Sequence, residues 1–168
     1  MPIKNFTTSI KIEKTISEIE LILTRHGATH IFKMYSNDGV PIALAFKCLI
    51  KNDLISFKLP MEEQKVLQVF KNGVHNGELP KRYWDDLDQA RRTGWRIIKD
   101  WISSQMALIE INIVKFEEIF LPYMYNENLG KTMFELLEEK DFRTQLDYHK
   151  KDENEKVNEE WKNNKLCG

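Results

Sequence analysis

Hydrophobic positions recur along this chain with two different periods, and the switch between them divides it. In "TISEIELILTRHG" the residues Ile16, Ile19, Ile22, Leu23 and His26 follow helical spacing. Thr15, with Glu18 three residues later, reads as a capping box that starts the helix. Gly27 is placed to end it in a left-handed conformation. The period then falls to two. "ATHIFKMY" is rich in aromatic and β-branched residues, and "SNDG" supplies a turn. In "VPIALAFKCLI" the residues Ile42, Leu44, Phe46, Cys48 and Ile50 share one face. After the turn "KND", Ile55, Phe57 and Leu59 do the same until Pro60 ends the ladder. These runs predict a three-stranded antiparallel meander with one buried face. Helical spacing returns in "MEEQKVLQVFKNG", where Val66, Leu67, Val69 and Phe70 form the stripe. Glu62 and Glu63 suit the positive end of that helix, and Gly73 is its expected terminator. Both helices are expected to cover the same apolar face of the sheet.

The chain then becomes mainly helical. "NGVHNGELP" carries turn signals and Pro80 and predicts a linker over residues 74–81. A long helix is expected from about Arg82 to about Ile113. A shorter one, "VKFEEIFLPYM", is disturbed near Pro122. "NENLG" is a turn, and "KTMFELLEEKDF" is a last helix with Thr132 and Glu135 as capping box. Residues 143–168 are charged and poor in aliphatics, which predicts a frayed or disordered tail. The fold class is therefore α+β: an α-β-β-β-α unit over 1–73, the linker, a helical region over 82–142 and the tail.

The long helix has two apolar stripes. Trp84, Leu87, Trp95, Ile98, Ile102, Met106 and Ile109 form one. Ala90, Gly94, Ile97, Trp101, Ser104, Leu108 and Ile111 form the other. A helix apolar on two sides is buried between neighbours, and Ala90 and Gly94 permit close approach by the N-terminal unit or a second subunit. Arg92, Arg96 and Lys99 share a third face, the densest basic stripe in the chain. It reads either as a solvated face with ion pairs such as Asp88–Arg92 and Arg96–Asp100, or as a phosphate-contacting ridge. Arg91 falls near the tryptophan stripe, placed to stack on an indole or to pair with Glu117 or Glu118.

Composition narrows the classes. The 168 residues carry a net charge of −1, so whole-molecule attraction to nucleic acid or membrane is not expected and any such contact needs a local patch. The two cysteines, Cys48 and Cys167, lack the spacing of a zinc site or disulfide framework. The first residues lack the apolar core of a signal peptide. No run approaches the roughly 18 apolar residues of a membrane span. The expectation is a soluble, cytoplasmic protein without a membrane, metal or cofactor partner.

Candidate chemistry is sparse. Asp53 with Glu63 and Lys65 superficially matches the acid–acid–lysine set of metal-dependent nucleases, but glutamate at a helix start has a dipole reason of its own. His26 and His30 are four apart yet separated by a helix end, so they do not share the face zinc ligands need. There is no nucleophile elbow and no glycine-rich phosphate loop. No catalytic residue is assigned.

In topology, residues 15–72 resemble double-stranded-RNA-binding domains and the related small mRNA-interferase toxins. The central strand reads Ala43, Leu44, Ala45, Phe46 and lacks the toxins' histidine. The segments "GATHIFKMYSNDGVPIALAF", "ARRTGWRIIKDWISSQMALIE" and "EEIFLPYM" together resemble a family of small phage and prophage proteins, which implies an accessory role. The function expected first is non-enzymatic binding of DNA or RNA in a phage replication or recombination module. Arg92, Arg96 and Lys99 would contact phosphates, with Trp84 and Trp95 as stacking groups. The alternative is a protein-binding module, such as an anti-defence inhibitor or self-assembling scaffold. Its host-protein or self-association interface would use Ala90, Gly94, Trp101, Phe120 and Tyr123.

Overall fold

The computed structural model describes residues 2–140 and Phe142; the tail expected over 143–168 lies outside the described residues. Helix α1 spans Ile12–Arg25. It begins a turn before the expected cap, because Ile12 packs against the core in line with Ile16, Ile19 and Leu23. Thr15 is consequently buried inside the helix, with its hydroxyl donating back to the Lys11 carbonyl at 3.4 Å, and caps nothing. Glu18 is turned to Arg96. The far end agrees with expectation: Gly27 follows the helix at φ +94°.

The meander is present as β1 Ala28–Tyr35, β2 Pro41–Ile50 and β3 Asp53–Lys58, antiparallel in that order. Lys51 and Asn52, the two residues joining β2 to β3, both have positive φ, 49° and 75°. That geometry matches the strands' right-handed twist.

Helix α2 spans Glu63–His75 and runs past Gly73. Gly73 does not terminate it: a Cβ there would stand 2.8 Å from Leu79 Cδ1, so the glycine makes room for the returning chain. Of the linker expected over 74–81, Val74 and His75 belong to α2; a short turn follows with Leu79 buried, leading into a single 3₁₀ turn, Lys81–Tyr83. Helix α3 then spans Leu87–Glu110, capped by the Asp86 carboxylate accepting from Gln89 N at 2.9 Å. It starts five residues later than the periodicity predicts, which leaves Trp84 outside it and half exposed.

After α3 come α4, Phe116–Phe120, and a 3₁₀ turn through Pro122, Leu121–Tyr123. A two-stranded hairpin that the periodicity does not predict follows, β4 Tyr125–Asn126 and β5 Lys131–Thr132. It is the "NENLG" turn with a residue pair paired on each side. Met124 bridges to Phe57, so this segment extends the main sheet beyond β3. Helix α5, Met133–Glu139, has its capping box as expected: Glu135 N donates to Thr132 Oγ1 at 3.3 Å, and Thr132 N to Glu135 Oε2 at 2.6 Å. Those bonds hold the Glu135 carboxyl below the usual range.

One core joins both halves of the chain. Leu44, Phe46, Cys48, Phe57 and Leu59 of the sheet pack against α1, against Trp95, Ile98, Ile102 and Met106 of α3, and against Phe120. The expectation that α2 lies on the sheet beside α1 is therefore corrected: α3 takes that place. Helix α2 packs on the opposite side of α3, in a second cluster of Leu67, Phe70, Leu79, Tyr83 and Ala90. The reason is bulk. Trp95 and its stripe supply the large side chains that fill the sheet face, whereas α2 carries few.

Candidate functional site

The structure does not expose the basic stripe of α3. The stretch from Asn5 to Thr8 lies along it: Gln89 Nε2 donates to the carbonyls of Phe6 and Thr8, and Thr93 Oγ1 to that of Asn5. Arg92 donates to Gln89 Oε1 at 2.7 Å, Arg96 pairs with Glu18 at 2.5 Å, and Lys99 lies 3.6 Å from Asp100. Asp100 in turn accepts from Lys4 and Asn5. Each of the three cations is half-buried with an acceptor of its own.

Trp95 is fully buried, and its indole N–H is donated to the Pro41 carbonyl, so it has no face for a base. Arg91 neither stacks on an indole nor reaches Glu117 or Glu118. It is nearly buried and pairs with Glu63 at 2.5 Å and Asp38 at 3.2 Å, tying the β1–β2 turn to α2 and α3. Glu63 is thereby committed, and Lys65 is bonded to Glu62. Among the described residues no cluster of His, Cys, Asp or Glu is placed to hold a metal.

The expected interface residues are also occupied from within the chain. Ala90 is fully buried against α2. A Cβ on Gly94 would meet Met61 Cε at 2.7 Å and Val66 Cγ2 at 3.2 Å. Phe120 is fully buried, with its ring against Phe46, Phe57 and Phe116. Trp101 packs edge-on to Phe120 and Tyr123 at 5.7 and 5.3 Å. Of the residues expected to contact nucleic acid or a partner, Trp84 is the one that keeps about half of its surface in solvent.

Exposed aromatic and basic side chains lie on the other face of the sheet. Among the described residues helices cover only the side carrying Leu44, Phe46 and Phe57, and the strand alternation sends the intervening residues outward. The register aligns them in rows across the strands. His30, Lys47 and Ser56 form one row; Phe32, Ala45 and Lys58 form the next. Met34 with Ala43 lies beyond the second row, and Leu49 with Leu54 beyond the first. Ala43 and Ala45 make a low floor. Phe32 beside them is 47% exposed, a large value for a phenylalanine at the middle of a strand.

The ring of Phe32 lies parallel to that of His30, 7° apart in plane with centroids 6.3 Å apart. The Lys47 ammonium is 5.5 Å from the Phe32 centroid, within cation–π range. Lys58 holds the same relation to Tyr125, also at 5.5 Å, so the second row runs aromatic, alanine, lysine, aromatic.

A bulge at Thr29 aims the histidine. The Thr29 hydroxyl is 3.2 Å from the Lys47 carbonyl and 3.0 Å from His30 Nδ1. The two contacts fix the orientation of the imidazole over the first row. Glu127, from the β4–β5 turn, closes the first row. Its Oε1 accepts from Lys47 Nζ at 2.6 Å and from Ser56 Oγ at 2.6 Å, and these donors hold its carboxyl below the usual range. Beyond Lys58 a groove opens over Met61, Tyr123 and Phe134, but Glu62, Glu135 and Glu138 line it too. That acidic wall ends the track for an anion at Lys58.

These residues carry a sequence signal of their own: alternate positions of β1 read His30, Phe32, Met34, aromatic and apolar on the face turned away from the helices.

No family model, curated protein or solved structure matches this chain. Among the described residues no helix is long and apolar enough to cross a membrane.

Proposed function

We propose that this protein is a non-enzymatic nucleic-acid-binding protein that takes single-stranded DNA or RNA on the outer face of its sheet. The observation that carries the reading is Phe32: an exposed ring, parallel to His30 and beside Lys47, on a sheet face that no helix among the described residues covers. Bases of any sequence stack on such rings, while neighbouring lysines track the backbone. A duplex offers its bases edge-on and does not reach a flat aromatic surface in this way. The phosphate-binding role is assigned to Lys47 and Lys58 because they flank the exposed aromatic rings, Lys47 with Glu127 as its counter-ion, and not to the α3 stripe, which among the described residues carries no exposed ring beside it.

Fluorescence anisotropy with labelled single strands of about 12 nucleotides tests it, at about 50 and 200 mM salt. Binding is expected at low salt, with Phe32→Ala weakening it by about 1–3 kcal/mol. Lys58→Ala is expected to reduce the log–log salt slope by about 0.7. No binding at low salt sinks the proposal.

Leu49, Leu54 and Met34 favour a second reading, a protein-docking face, because all three are exposed apolar side chains on the same surface. Under that reading Leu54→Lys abolishes partner capture, and Phe32→Ala leaves oligonucleotide anisotropy at the background level.

A further inference from the structure

The geometry points to Lys47 and Ser56 as the phosphate subsite of the outer sheet face, with Glu127 holding the phosphate's place until a strand displaces it. The inference rests on the nucleic-acid reading above. Two donors from adjacent strands converge on one oxygen, Glu127 Oε1, each at 2.6 Å. One ammonium and one hydroxyl on a single anionic oxygen is also the pattern that receives a non-bridging phosphate oxygen. The subsite lies where a backbone must run if a base stacks on Phe32, since Lys47 already stands 5.5 Å from that ring.

The turn carrying Glu127 does not need this contact. Asn126 Oδ1 accepts from Asn128 N and Leu129 N at 3.0 and 3.1 Å, and Asn126 O accepts from Gly130 N at 2.9 Å. Those bonds close the turn locally, so the Glu127 side chain is free to swing out while the backbone stays in place. More than half of that side chain is exposed, so it meets no steric barrier. Lys47 is the less exposed partner, pinned along the sheet, and remains to receive the incoming anion. The arrangement makes Glu127 an internal competitor that sets a floor on how strong an anion must be to bind.

The test compares wild type, Glu127→Gln, Lys47→Met and the double variant for binding of a labelled single strand across a salt series. Glu127→Gln keeps an acceptor for Ser56 and removes only the charge. It is expected to tighten binding by roughly three- to tenfold and to steepen the log–log salt slope by about 0.7, one phosphate's share. Lys47→Met is expected to weaken binding and to abolish the gain from Glu127→Gln. Glu13→Gln, on α1 and away from the outer face, controls for the general effect of removing an acid and is expected to change affinity by less than about twofold.

Unchanged or weaker binding by Glu127→Gln, with wild type binding normally, overturns this inference and leaves the platform reading standing. A gain that persists in the Lys47→Met background overturns it as well. No binding by any variant overturns both. Thermal melts of each variant confirm that a loss is not a loss of fold.

Discussion

The indole nitrogen of Trp95 donates to the carbonyl oxygen of Pro41 at 3.1 Å, joining the middle of the long helix to the first residue of the central strand. Both groups are buried, so the bond leaves no polar atom stranded at the point where the largest core side chain meets the sheet. Trp95→Phe removes this bond and part of the ring. It is expected to destabilise by about 2–3 kcal/mol, from a lost buried hydrogen bond and a small cavity. Trp84→Phe, at the exposed tryptophan, should stay within about 0.5 kcal/mol of wild type. Urea unfolding of the two variants checks the contrast.

Gly94 lets α3 approach the start of α2. Alanine there gains about 1 kcal/mol in helix propensity but crowds Met61 and Val66. Because the nearest atoms are the flexible end of Met61, Gly94→Ala should fall within about 1 kcal/mol of wild type. Gly94→Leu has no such escape and should cost more than about 2 kcal/mol. Combining Gly94→Ala with Met61→Ala should show favourable coupling in a double-mutant cycle, by chemical denaturation. Additive effects would rule out the contact as the reason for the glycine.

Asp100 ties the N-terminal segment to α3. Burial alone would raise its carboxyl, but the bonds from Lys4 and Asn5 outweigh it and hold the group below its ordinary value of 3.8. A depressed folded value means the contribution is complete above pH 3.8 and disappears as pH falls through the folded value. Asp100→Asn should therefore lower stability at neutral pH by about 1–2 kcal/mol. The gap from wild type should close as pH falls below that value. At neutral pH the amides of residues 3–8 should exchange faster in the variant, measurable by hydrogen–deuterium exchange.

Cys48 is buried in the core, and burial pushes its thiol up to about 11. At pH 8 only about a thousandth of it is thiolate. Iodoacetamide should leave Cys48 unmodified in the folded protein and alkylate it in denaturant, read by peptide mapping. Rapid modification without denaturant would place this strand outside the core.

Much of the fold is legible in residue order because its causes are local. Gly27 at the end of α1, the turns around Gly39 and Lys51–Asn52, and the Thr132–Glu135 capping box are decided within a few residues, and all stand as expected. The Thr15–Glu18 box fails although it has the same local pattern. Packing the partly buried Ile12 against the core outweighs a cap three residues later, and that gain depends on strands elsewhere in the chain. Gly73 fails as terminator, and Gly94 serves close approach by the N-terminal unit; each answers to a side chain brought in by tertiary packing, Leu79 and Met61.

The candidate site was the least legible part. Arg92, Arg96 and Lys99 do share one helix face, but residues 5–8 lie along it through Gln89, and Glu18 of α1 pairs with Arg96, from a distance in sequence that periodicity does not register. The row of His30, Lys47 and Ser56, and that of Phe32, Ala45 and Lys58, exist only through strand register, and Glu127 reaches the first across 71 residues from Ser56. Residue order alone sets the main helices, their order and the three-stranded meander, because backbone preference and side-chain period act over short range, whereas the β4–β5 hairpin is not legible in it. Which face of the sheet is covered, which helix covers it, and which carboxylate each cation meets depend on the tertiary structure. Those outcomes turn on competition among distant segments for the same apolar surface and the same counter-charges.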